Sequence, residues 1–202
     1  MCNYSTLIDP LLQSIRIYTP KFSGMKKGDK VLDVCCGTGD QVFHYGKQEI
    51  IATGIDLNPE MIKMAEKRKN KSGLTNVFFQ IANANKLPFQ NNYFDFASIS
   101  LALHEKDRHS RDKIISEMKR VVKNEGFLIF IDFKVPLSQN IYSCLVRLIE
   151  YSAGENHYKC FKDYLLQGGL PALLTENKLK EEKRDYLLNN IITIIRVKNI
   201  KI

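Results

Sequence analysis

A chain of 202 residues with 44% hydrophobic and 26% charged residues carries enough apolar material for one domain with a substantial core. No apolar run approaches the roughly 20 residues that a membrane span needs, and the opening MCNYSTLIDP has no basic segment leading into an apolar core, so neither a span nor a secretory signal is expected and Cys2 has no lipoprotein context. The formal charge is +8, but the basic residues are spread along the chain, and the densest run, residues 63–73, reads as the solvated end of a helix and not as a nucleic-acid stripe.

The elements follow in chain order. Residues 7–18, LIDPLLQSIRIY, predict a helix laid over a sheet. GDKVLDVCC (28–36) is a first strand that ends near Cys35, and IIATGID (50–56) is a second. A helix then opens with Asn58 as its N-cap and Pro59 at the first helical position, where a missing N–H costs nothing. Met61, Met64 and Ala65 share one face of it, which points to core packing. TNVFFQIAN (75–83) is a third strand and YFDFASISLAL (93–103) a fourth. RDKIISEMKRVV (111–122) has Ile114, Ile115, Met118, Val121 and Val122 on one helical face. Asn124-Glu125-Gly126 is expected to stop that helix and turn the chain into a fifth strand, FLIFIDF (127–133). Residues 134–180 are less regular and hold one short helix at GGLPALLTENKL (168–179). A strand is expected within 178–188 and another at IITIIRVKN (191–199). Apolar runs alternating with helical patterns argue for an α/β fold with a mostly parallel sheet and helices on both faces, in a single domain spanning 1–202.

The five cysteines form no paired framework, which fits a reducing cytoplasm. No Cys-x-x-Cys or Cys/His pair has ligand spacing, so no metal site is expected. Cys35 and Cys36 precede a helix, which would activate a thiolate, but burial at the end of the strand is the expected fate.

The unit that carries chemistry is VLDVCCGTGD (31–40), a strand running into Gly37-Thr38-Gly39 and then a helix. Glycines at the carboxyl end of a strand let a ligand approach the backbone where open α/β sheets bind ligands. Asp56 ends the second strand, and an acid about 20 residues beyond a glycine turn is placed to take two ribose hydroxyls. Together these features point to a cofactor containing adenosine. A dinucleotide would require a third glycine where this chain has Val42, and its pyrophosphate would meet the carboxylate of Asp40 at the helix start. Asp33, Asp40 and Asp56 instead predict an acidic rim suited to a sulfonium and an ammonium, although Asp40 by itself would also serve as a helix cap.

These motifs, in order over residues 28–133, resemble the class I S-adenosylmethionine-dependent methyltransferases, and within them the ubiquinone/menaquinone-biosynthesis type. The first motif is VLDVCCGTGD, the second GIDLNPEMIKMAEKR, the third and fourth lie in IANANKLPFQNNYFDFASISLALHE, and the fifth is MKRVVKNEGFLIFIDF. The resemblance implies a Rossmann-like doubly wound sheet of seven strands, the last antiparallel and inserted beside the fifth. It implies S-adenosylmethionine as cofactor and in-line transfer of its methyl group to a small-molecule acceptor.

Carried over by position, Asp33 would orient the amino acid part of the cofactor, and Gly37 and Gly39 would admit it to the backbone. Asp56 would hold the ribose, Leu57 would lie against the adenine, and Asn83 and Ala84 would lie at its edge. Ser100 and Leu101 would floor the site. Cys35, Thr38 and Met61 complete the expected lining. Cys35 stands where the family commonly has glycine, and Asn83 where it usually has Asp, a change that keeps an acceptor and adds a donor.

His104, just past the fourth strand, is the candidate general base, with Glu105 behind it; a base is required only if the acceptor carries a proton of high pKa. His157 and Tyr158 are placed either to reach the acceptor or to pack a covering segment. Residues 1–25 are expected to cover the site and 134–180 to shape the acceptor pocket. Three other functions fit parts of the pattern: a nucleic-acid methyltransferase, suggested by the charge; a non-catalytic S-adenosylmethionine-binding partner protein, suggested by Asn83; and a nicotinamide dehydrogenase. An arsenite methyltransferase would require converging cysteines, which the spacing of Cys36, Cys144 and Cys160 does not support.

Overall fold

The computed structural model describes residues 4–201, with side chains from residue 12 onward, so Cys2 lies outside the described residues. The chain runs α1 (Tyr4–Ser23), β1 (Lys30–Val34), α2 (Asp40–Gly46), β2 (Ile51–Asp56), α3 (Pro59–Ser72), β3 (Val77–Ile81), β4 (Phe94–Ser100), α4 (Arg108–Val121), β5 (Val122–Phe133), α5 (Ile141–Ser152), α6 (Glu155–Leu166), α7 (Gly169–Glu176), β6 (Glu181–Leu187) and β7 (Ile192–Lys198).

The seven strands form one sheet in the order β3-β2-β1-β4-β5-β7-β6. β1 pairs with β2 and β4 in parallel, β4 with β5 in parallel, and β7 lies antiparallel between β5 and β6. The chain winds outward from β1 through β2 to β3, then returns to β4 and winds the other way. Right-handed crossovers therefore place α2 and α3 on one face and α4 on the other. The reversal falls between β1 and β4, and open α/β sheets bind ligands at such a switch point, outside the carboxyl ends of the strands.

Burial on both faces explains the composition of the central strands. Leu128, Ile129, Phe130 and Ile131 of β5 and Ile192, Ile194, Ile195 and Val197 of β7 are all buried. Asn58 caps α3 as its side chain accepts the Glu60 N–H at 2.9 Å, and Gly73 ends that helix in a left-handed conformation. The N-terminal helix bridges the sheet. Its Arg16 carbonyl accepts from Gln41 of α2, while Tyr18 donates to Asp185 of β6 at 2.6 Å. Among the described residues, no helix is long and apolar enough to cross a membrane.

Three local expectations change. Gly126 does not end α4. The helix stops at Val121 and Val122 is already extended, paired with Phe94. Residues 123–126 bulge out opposite Asp95, and Gly126 is needed because a Cβ would sit 2.6 Å from the Asp95 carbonyl oxygen. On α3 the packed face is Ile62 and Ala65, while Met64 is 51% exposed. Finally, residues 141–166, expected to be irregular, fold into the two helices α5 and α6; α5 buries Ser143 and Glu150 and leaves Ile141, Leu145 and Leu148 exposed.

Candidate cofactor and acceptor site

The glycine turn is fastened to β2 from both sides. The Cys36 N–H donates to the Ile55 carbonyl at 2.8 Å, and the Gly37 N–H donates to Asp56 Oδ2 at 2.9 Å. The other oxygen of Asp56 accepts the Asn58 N–H at 2.9 Å. One carboxylate thus joins the turn after β1 to the turn after β2 and keeps further lone pairs for a ligand. Gly37 has φ +53° and no atom within 4 Å of where a Cβ would stand, so its backbone is open to a ligand. Cys35 adopts φ +58°, a left-handed conformation in which glycine is the unstrained residue. Burial pushes its thiol up to about 12 and pushes that of Cys36 up as well, so neither is an activated thiolate.

The close helix–strand approach that a third glycine would give is achieved from the opposite side. A Cβ on Gly54 of β2 would lie 2.8 Å from both Val42 Cγ2 and Cys36 Sγ. The glycine sits on the strand and the bulk on the helix.

The acidic rim is smaller than expected. Asp40 is the first residue of α2, and the cap position is Gly39. Its carboxylate is paired with Arg68 at 2.5 Å and with Arg16 at 3.6 Å. Burial opposes the charge, but these arginines win and hold Asp40 below the ordinary carboxylate range. Asp33 is 3% exposed and accepts from Ser98 Oγ at 2.7 Å, while Ser98 in turn accepts from the Tyr45 hydroxyl at 3.1 Å. Burial raises Asp33 to about 7 against the pull of Ser98 and Arg16.

The remaining sequence-predicted residues lie at or just past the carboxyl ends of β1, β2, β3 and β4. Asp56, Leu57 and Met61 follow β2 and open α3; Leu57 is 66% exposed and Met61 half-buried. Asn83 is exposed, and its side chain accepts the Asn85 N–H at 2.9 Å, closing a turn next to buried Ala84. Asn85 Oδ1 in that turn is a buried acceptor with no partner among the described residues. Ser100 and Leu101 end β4, with Leu101 at φ +51° and its N–H on the Ile131 carbonyl. Thr38 donates to Asp40 and accepts from Arg68, which ties it to α3.

His104 lies between two carboxylates. It is 3% exposed, with Nδ1 at 2.7 Å from Asp132 and Nε2 at 3.4 Å from Glu150. Burial alone would lower the imidazole, but the two carboxylates overcome it and raise it to about 10. Both ring nitrogens are engaged by carboxylates, an arrangement that by itself gives the general-base reading of His104 no support. Glu105 is paired with Lys106 at 2.6 Å. His157 packs edge-on to His104 and contacts Glu150 at 2.5 Å, while Tyr158 stacks its edge on Tyr151.

Sequence reasoning missed Asp132 and Glu150. The first had a signal: an acid inside the apolar run FLIFIDF has to find buried donors, and it takes the N–H groups of Leu103, His104 and Phe133. Glu150 carried no such signal, because its partners come from distant parts of the chain. A cleft of about 710 Å³ lies apart from the cofactor residues, between residues 135–140 and the helices α5 and α6, lined by Leu137, Cys144, Arg147, Lys162 and Leu166.

The comparisons with known proteins agree with this architecture. The family model described as the ubiE/COQ5 methyltransferase family matches residues 12–152. The ubiquinone/menaquinone biosynthesis C-methyltransferase UbiE of Francisella tularensis subsp. holarctica is 37% identical over 128 residues, covering 59% of this chain and 50% of that protein. The demethylmenaquinone methyltransferase of Listeria welshimeri is 31% identical over 152 residues, covering 72% of this chain and 64% of that protein. The chain spans about half the length of the first of these relatives. Among solved structures, a SAM-dependent methyltransferase from Aquifex aeolicus superposes with a TM-score of 0.73 at 22% identity, over 96% of each chain, which shows the shared fold. One from Methanosarcina mazei superposes with a TM-score of 0.66 at 25% identity, over 87% of this chain and 94% of that one. The chain therefore belongs to the ubiE/COQ5 methyltransferase family.

Proposed function

We propose that this chain binds S-adenosylmethionine at the carboxyl ends of β1, β2 and β4 and transfers its methyl group to a quinone-type small molecule. The observation that carries the reading is Asp56, which locks two turns together beside the open backbone of Gly37. The pocket residues fit the cofactor. Asp56 has acceptor capacity for ribose hydroxyls, exposed Leu57 offers an apolar face to adenine, and the unpaired acceptor Asn85 Oδ1 suits an amino donor at the adenine edge. Asp33 is the carboxylate available to the amino acid ammonium, since Asp40 is committed to Arg16 and Arg68.

When bound, the sulfonium supplies a methyl group already activated for in-line displacement. The protein's part is to align it and exclude water. The quinone-type acceptor rests on the names of the relatives, and the helical segment 134–180 is the part of this chain that would shape its pocket.

Calorimetry with S-adenosylhomocysteine should show one site. Asp56→Ala should weaken it on the order of 10–100-fold, the worth of hydrogen bonds to a charged acceptor. Labelled methyl transfer from S-adenosylmethionine to a reduced demethylnaphthoquinone tests the acceptor. Tighter binding of NAD, or cofactor binding with no transfer to any quinol, would overturn the reading. Salt-dependent binding of tRNA would move it to nucleic acid.

A further inference from the structure

Outside the candidate cofactor site, the fold gathers a second set of side chains with ligand character. His104 comes from the loop after β4, Glu150 from the last turn of α5 and His157 from the first turn of α6. His104 Nε2 lies 3.4 Å and His157 Nε2 2.5 Å from the same oxygen, Glu150 Oε2. We propose that His104, Glu150 and His157 form a binding site for one divalent transition-metal ion, of the Zn²⁺ or Fe²⁺ kind.

Four observations support it. First, the three donor atoms converge within 4.8 Å of one another. Ligands at about 2.0–2.1 Å from a tetrahedral ion are about 3.3 Å apart. The His104–Glu150 spacing already matches, and the His157–Glu150 contact has to open by about 0.8 Å to meet that value. Second, each imidazole has a carboxylate behind its other nitrogen. Asp132 lies 2.7 Å from His104 Nδ1, and Glu105 lies 3.6 Å from His157 Nδ1. The Asp132 hydrogen bond fixes the His104 tautomer that leaves Nε2 as a metal donor, while Glu105 lies beyond hydrogen-bonding distance of His157 and contributes only its charge. Third, Asp132 and Glu150 are 0% and 1% exposed, and one divalent cation would balance both charges with neutral rings. Fourth, Phe133, Phe161 and Tyr164 pack around His104, with Phe133 at 4.7 Å between centroids, while half-buried His157 leaves a route for an ion from solvent.

The donor set is imidazole and carboxylate with no thiolate, which suits Zn²⁺, Fe²⁺ or Co²⁺ over Mg²⁺. Such an ion would clip α5 and α6 to the end of β4, fixing the helices expected to shape the acceptor pocket. Metal binding does not depend on the methyl-transfer reading, and its readout is independent of that activity.

The test is to titrate Co²⁺ into the chelator-treated 202-residue chain and follow its visible absorption, with Zn²⁺ competition and thermal melting alongside. One Co²⁺ should bind per chain, Zn²⁺ should displace it and raise Tm, and Mg²⁺ should do neither. His157→Ala, at a half-buried surface position, and the isosteric Glu150→Gln should each weaken Co²⁺ by 100-fold or more while circular dichroism stays unchanged. Asp132→Asn should cost 10–100-fold. Exposed His109→Ala is the control that should leave binding intact. Absence of stoichiometric Co²⁺ at micromolar concentration, or equal binding by the folded His157→Ala variant, overturns the site and leaves a hydrogen-bonded histidine–carboxylate relay in its place.

Discussion

Asp33 sits where two demands on one side chain conflict. Burial holds it at about 7 against an ordinary 3.8, so the folded state binds a proton that the unfolded state has released between those values. Stability is therefore lost as pH rises through that window and stays lower above it. Asp33→Asn keeps the Ser98 hydrogen bond and removes the penalty. We expect urea unfolding to show the variant equal to wild type near pH 4 and more stable at pH 8, by up to about 4 kcal/mol. Its affinity for S-adenosylhomocysteine should fall at pH 8, because the neutral amide cannot pair with an ammonium.

Cys35 is a second residue under strain. At φ +58° a glycine relieves the backbone but adds unfolded-state entropy, and the two effects nearly cancel. Cys35→Gly should change stability by less than about 1 kcal/mol, whereas a β-branched Cys35→Val should cost about 2 kcal/mol or more in chemical denaturation.

At the scale of elements, the packing of α2 on β2 decides how close the glycine turn comes to Asp56. Gly54 and Val42 form a complementary pair, small on the strand and large on the helix. Gly54→Ala should destabilise by about 1–3 kcal/mol through overpacking. Val42→Ala in the same chain should recover part of that loss, with a coupling above about 0.5 kcal/mol in a double-mutant cycle. A loss that simply adds would show that the contact does not govern the approach. Arg111 of α4 plays a comparable part between elements. Buried, it donates to the carbonyls of Leu103 and Cys160 and to Asp163 at 2.7 Å, binding α6 to the loop that carries His104.

At the scale of the whole molecule, β7 closes the fold. It enters between β5 and β6 from the end of the chain and buries Ile192, Ile194, Ile195 and Val197. At about 1.5–3 kcal/mol for each buried aliphatic side chain, these four contribute about 6–12 kcal/mol. That is comparable to the whole stability of an ordinary domain, about 5–15 kcal/mol. A chain ending at Asn190 should fail to give a cooperative thermal transition and should aggregate through the exposed edge of β5.

Some of this was written in the order of residues along the chain. The β1 motif, the glycine turn, Asp56 at the end of β2 and the apolar runs of β5 and β7 are local patterns, and local patterns with fixed periods determine element type, sheet class and the place where a cofactor enters. Other features are long-range and were decided only when the sheet closed. The arginines that neutralise Asp40, the serine and tyrosine behind Asp33, the strand glycine that stands in for a helix glycine, and the two carboxylates that enclose His104 all join residues far apart in sequence. A charge or a proton is set by its neighbours in space, and spacing along the chain contains that information only when the neighbours belong to the same helix, strand or turn.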